Sequence, residues 1–159
     1  MVVYFLRHGE AGKKDEWQGD DSERPLNKEG MERMKQEAAA IARLDLGLDL
    51  IITSPLVRAR QTADIVAREL HMRESLAIDD RLAPGFGREA FAQILKKHSA
   101  RKALMLVGHE PDFSEVIAAS IGGGSIECKK GGLARIDIAD PATLRGVLLW
   151  LIPPRVLAP

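Results

Sequence analysis

VVYFLRHGE, residues 2–10, runs five apolar side chains and then turns at once to an arginine, a histidine and a glycine. Two further stretches repeat this grammar: LDLIIT (48–53) leads into SPLVRARQTA, and ALMLV (103–107) leads into GHEPDFS. Apolar runs without polar alternation predict strands covered on both faces, as in a parallel sheet between two helix layers. Polar motifs at the carboxyl ends of such strands fall where open α/β sheets bind their ligands.

The segments between the runs read as helices. In NKEGMERMKQEAAAIARL (27–44), Asn27 is placed to cap, and Met31, Met34, Ala38, Ile41 and Ala42 recur at helical spacing. In SPLVRARQTADIVAREL (54–70), Ser54 reads as the cap and Pro55 as the first helical residue, so the free N–H groups of that end would also favour an anion. Residues 88–98 and 112–121 predict two more helices, the last ended by three glycines. LARIDI (133–138) and RGVLLWLI (145–152) read as an antiparallel pair at a sheet edge. The expectation is a three-layer α/β sandwich with a mostly parallel central sheet, an antiparallel C-terminal edge and helices on both faces. With no repeat, linker or low-complexity tract, residues 1–159 read as one domain.

The bulk composition narrows the partners. Lys+Arg and Asp+Glu are equal at 23 each, so an anion site has to be local. Aromatic residues make up 4%, too few for a base-stacking surface, and nucleic acid is not an expected partner. The single cysteine, Cys128, makes neither an internal disulfide nor a multi-thiolate metal site, and suits a reducing compartment. The N-terminal apolar run is too short for a signal segment, and nothing approaches the ~20 residues of a membrane span. The reading is a cytoplasmic protein with no membrane partner.

If the three strands are neighbours, Arg7, His8, Arg58 and His109 converge. LRHGEA (6–11), TSPLVRARQTA (53–63) and VGHEPDFS (107–114), in this order, resemble the histidine phosphatase (phosphoglycerate-mutase-like) superfamily. The short chain and ERPLNKEG (23–30) resemble its small SixA-type phosphohistidine phosphatase branch. The resemblance implies that His8 is the nucleophile that accepts a phosphoryl group, and that Arg7 and Arg58 clamp the phosphate. His109 would donate to its equatorial oxygens, and Gly9 would let the backbone pass close to the substrate. Neutral imidazole and bidentate guanidinium suit those roles. No metal or other cofactor is implied, since two arginines supply the positive charge.

The sequence departs from mutase-like members at DDRLAPGFG (79–87), where a proline and a glycine stand in place of the acid expected there. Glu110 is one substitute, with Asp112 and Glu10 as weaker ones. Expelling an alkoxide without an acid is hard, since hydroxyls of the water type have pKa values near ~16. A phosphohistidine ring takes its proton from solvent near neutral pH. This favours phosphohistidine on a signalling or phosphotransfer protein as substrate, with a small phosphomonoester as the alternative. The stretch between Leu70 and Lys102 leaves no room for a cap subdomain, which points the same way. The charged loop 12–26 reads either as a solvated loop or as a pocket rim touching the partner through Lys13, Lys14 and Trp17. Two other readings stand beside these: a phosphate-binding adaptor without turnover, and a metal site built on His8, His109 and carboxylates.

Overall fold

A computed structural model describes residues 1–159. Its six strands are β1 (Val2–Arg7), β2 (Leu50–Thr53), β3 (Leu76–Ile78), β4 (Ala103–Gly108), β5 (Leu133–Asp140) and β6 (Arg145–Ile152). Its helices are α1 (Lys28–Arg43), α2 (Val57–Glu69), α3 (Arg88–Lys97), α4 (Asp112–Ser120) and the short α5 (Pro154–Leu157). The strands form one sheet in the order β3-β2-β4-β1-β5-β6. The first four are mutually parallel, and β5 and β6 add the antiparallel edge expected of the C-terminal segment.

Alternate side chains of each strand serve opposite cores, so both faces need helices. Val3, Phe5, Ile52, Leu104 and Leu106 pack against Phe91 and Ile94 of α3 and Phe113 and Ile117 of α4. Phe5 meets Phe91 and Phe113 with ring centroids 5.5 and 5.0 Å apart, inside the range of favourable aromatic pairs. On the other face Tyr4, Leu6, Ile51, Met105 and Val107 pack against Met34, Ala38 and Ile41 of α1 and Ala59, Ala63 and Val66 of α2. The alanines let α2 lie close to the sheet.

Asn27 caps α1 as its position suggested, its side chain accepting from the Gly30 amide at 2.7 Å. The start of α2 differs from the reading of Ser54–Pro55. The helix begins at Val57 with Leu56 as its cap residue. The Ser54 amide is drawn into the sheet instead, donating to the Val107 carbonyl at 2.9 Å, while its hydroxyl accepts from the Leu56 amide. Strand β3 has no counterpart in the sequence reading, because three residues of mixed exposure carry no periodic signal. Between α2 and β4 the chain makes only short 3-10 turns, β3 and α3. No helix is long and apolar enough to cross a membrane.

Candidate active site

Strand β4 lies between β1 and β2, with Arg7 opposite Gly108 and Thr53 opposite Val107. The residues that follow these three strand ends, His8, Ser54 and His109, are therefore neighbours in space. A cleft of about 450 Å³ opens at this edge. Arg7, His8, Arg58 and His109 all line it, together with Asp21, Arg24 and Glu110. Arg60 is exposed on the outer face of α2, so Arg58 is the arginine of that helix that reaches the site.

His8 is buried, and its Nδ1 lies 2.7 Å from the Gly9 carbonyl. A carbonyl only accepts, so Nδ1 carries the ring proton and Nε2 is left with its lone pair. Burial pushes the His8 pKa down to about 3, against the raising effect of the Gly9 bond, and the charges of His109, Arg58 and Arg7 lower it further. The His109 ring centroid is 5.2 Å away. Burial, then the Arg58 charge, takes the His109 pKa to about 4. Both imidazoles are neutral at pH 7.

His109 Nε2 is 2.7 Å from the Ser54 hydroxyl. That oxygen already accepts from the Leu56 amide, so its own hydrogen is free to be donated to Nε2. In that arrangement Nδ1 of His109 bears the proton. His109 Nδ1, Arg7 Nε and Arg58 Nε are buried without a hydrogen-bond partner in the protein. All three belong to residues that line the cleft, and the two guanidinium groups bring to it the positive charge that suits an anion.

Arg7 is aimed by Nη1 donating to the Cys128 carbonyl at 2.8 Å. Arg58 donates through Nη1 to the Asp21 carbonyl at 2.7 Å and through Nη2 to Asp21 Oδ2 at 3.0 Å. Arg24 Nε holds the other Asp21 oxygen at 2.9 Å. Burial works to raise the Asp21 carboxyl, but Arg24 and Arg58 outweigh it and hold the group below the usual aspartate range. The cleft is thus lined with charged side chains. The helix expected from Ser54–Pro55 starts two residues later, and of its first turn only Arg58 lines the cleft.

At Gly9 a Cβ would stand 2.5 Å from Met34 Cγ, so the backbone there approaches α1 closely. The Gly9 amide donates to Thr62 Oγ1 at 3.1 Å. Among the acid candidates, Glu110 lines the cleft while accepting from the Ser114 amide. Glu10 also lines it, paired with Lys130 at 2.7 Å. Asp112 does not line it; its Oδ2 holds the amides of Gly85 and Phe86. Pro84, from the segment that departs from the mutase pattern, does reach the cleft. His8 and His109 belong to no group of three His, Cys, Asp or Glu side chains that could hold a metal ion.

The loop 12–26 is pinched at its neck by a bridge between Ala11 and Leu26. Lys13 and Lys14 line the cleft, whereas Trp17 does not and donates through Nε1 to the Asp20 carbonyl at 2.9 Å. Asp21, Arg24 and the Cys128 carbonyl are site groups that sequence reasoning did not single out, and Ser54 was singled out only as a helix cap. ERPLNKEG contains Arg24, the one signal that pointed at any of them.

Residues 3–88 match the family model described as histidine phosphatase superfamily (branch 1). An uncharacterised protein of Picosynechococcus sp. is 37% identical over 138 residues, covering 84% of this chain and 82% of that protein. The 8-oxo-(d)GTP phosphatase of Mycolicibacterium smegmatis is 33% identical over 110 residues, 69% of this chain but only 31% of that longer protein. A structure of the protein histidine phosphatase SixA complexed with tungstate superposes with a TM-score of 0.87 at 22% identity, covering 99% of each chain. The last comparison shows the shared fold, and the family model covers more than half of the sequence. This chain is a phosphatase that belongs to the histidine phosphatase superfamily (branch 1).

Proposed function

We propose that this phosphatase works through a phospho-His8 intermediate and removes phosphoryl groups from phosphohistidine on a cytoplasmic signalling or phosphotransfer protein. The observation that carries the reading is the fixed tautomer of His8, whose Nδ1 is tied to the Gly9 carbonyl and whose neutral Nε2 stands among Arg7, Arg58 and His109. Nε2 attacks phosphorus, and the P–N bond to the substrate ring breaks as the new P–N bond forms. The departing imidazole takes its proton from solvent and leaves neutral. Arg7, Arg58 and the Nδ1–H of His109 stabilise charge on the equatorial oxygens, where it accumulates in a loose transition state. Water then attacks the phosphoryl group on His8, releasing phosphate and regenerating the free Nε2.

A macromolecular substrate is supported by the shape of the rim. Only Pro84 of the segment between α2 and β4 reaches the cleft, which supports a site without a cap. Likeness in fold to a protein histidine phosphatase agrees with that choice. A small phosphomonoester is the second reading, favoured by Glu110 on the cleft wall, which offers an acid for an alkoxide leaving group.

The deciding experiment mixes the protein with a phosphohistidine-bearing histidine-transfer domain or with an aryl phosphate, quenches in alkali and seeks an acid-labile phosphoryl adduct by mass spectrometry. An adduct on His8, lost in His8→Ala and formed faster from the phosphoprotein, is the expected result. Turnover without any adduct on His8 would overturn the covalent route. Turnover confined to small esters would leave the second reading.

A further inference from the structure

Asp21 stands on the arginine assigned above to the phosphoryl group. Its backbone carbonyl and its carboxylate take Nη1 and Nη2 of Arg58, so one residue engages both terminal nitrogens of the guanidinium. Asp21 meets the guanidinium with its carbonyl and one carboxylate oxygen, occupying donors that a phosphoryl group would otherwise take. The two side chains differ in freedom. Arg58 is 6% exposed and rooted in α2, whereas Asp21 is 37% exposed and sits on a three-residue 3-10 turn capped by Asp20. Of the pair, Asp21 is the one able to move.

We propose that Asp21 is a product-release residue, a tethered carboxylate that competes with phosphate for Arg58 and that a substrate has to displace. The proposal rests on the reading of Arg58 as a phosphate ligand. A group held on a short turn competes at an effective concentration in the millimolar range or above. Free phosphate, the reaction product, brings only its charge against this competitor and is held weakly. A phosphoprotein brings further contacts and wins. The penalty is the same for every phosphoryl ligand, so a phosphoprotein with further contacts stays bound under it, while the return of Asp21 to Arg58 helps free phosphate leave.

The contrary role, in which Asp21 steadies Arg58 while phosphate is bound, predicts the opposite sign on removal of its charge. The test measures inhibition by inorganic phosphate in Asp21→Asn and in Asp21→Ser, with Arg58→Lys in parallel. A charge pair with one half-exposed partner is worth about 1 kcal/mol, so phosphate should inhibit about fivefold more tightly in both Asp21 variants. Trp17 gives a second readout, because its indole is bonded to the Asp20 carbonyl beside the moving turn. Phosphate should change Trp17 emission in the wild type, an effect absent in Trp17→Phe. Phosphate held equally or more weakly by both Asp21 variants, with Arg58→Lys also weakened, would sink this proposal alone. Phosphate binding indifferent to Arg58→Lys would remove the Arg58 reading and this proposal with it.

Discussion

Ser54 and His109 close neighbouring strands and meet through Oγ and Nε2 at 2.7 Å. With the hydroxyl as donor, the neutral imidazole keeps its one proton on Nδ1. Ser54→Ala removes that selection. The expected result is a fall in kcat of about tenfold, the worth of one buried hydrogen bond, with KM little changed. Steady-state kinetics on an aryl phosphate check it. An unchanged kcat would show that the tautomer of His109 does not matter.

Arg58 presents two hydrogen-bonding nitrogens that lysine does not reproduce. If it clamps the phosphoryl group, Arg58→Lys lowers kcat/KM about 100-fold, from two charge-assisted bonds reduced to a point charge. A loss under threefold would take Arg58 out of the clamp.

His8 and His109 titrate near 6.5 when unfolded and at about 3 and about 4 when folded, chiefly because they are buried. Below pH 6.5 the unfolded chain binds protons that the folded chain refuses, so stability falls as pH falls from 6.5 towards 4. Each group contributes up to about 1.4 kcal/mol per pH unit in that window. Denaturant midpoints of wild type and His8→Asn at pH 7 and pH 5 should show the shallower loss in the variant. Parallel losses would mean that burial does not hold His8 neutral.

Glu37 carries the opposite sign. It is buried in α1 with neither oxygen bonded, and burial raises its pKa to about 8, with the Arg33 charge opposing. The folded state keeps the proton that the unfolded state gives up near 4.5, so its contribution is complete below pH 4.5 and is lost as pH rises towards 8. Glu37→Gln should match wild type near pH 4.5 and exceed it at pH 8, by about 4 kcal/mol. Thermal melts at the two pH values decide it. An equal fall with pH in both proteins would place that titration elsewhere.

The strands with long apolar runs were legible, and so was the meeting of residues 7, 8, 58 and 109, because each motif directly follows a strand or opens the helix after one. What escaped were partnerships across sequence. Ser54 before a proline reads as an ordinary helix start, and nothing local says that its hydroxyl faces a histidine 55 residues on. Asp21 lies in DDSE, indistinguishable from a solvated loop until Arg58 is seen against it. Glu37 sits beside Ala38 on a helix whose apolar stripe gave no hint that Gly131 would pack against its carboxyl.

The sheet order has a consequence during synthesis. Strands β1 and β2 leave the ribosome early, yet they are not partners; β4, more than a hundred residues into the chain, is the wedge that each of them pairs with. His8 therefore waits for His109 to arrive on that same strand end before it acquires its surroundings. A chain that has not yet reached β4 carries the RHG triplet without the His109 that lines the cleft beside it.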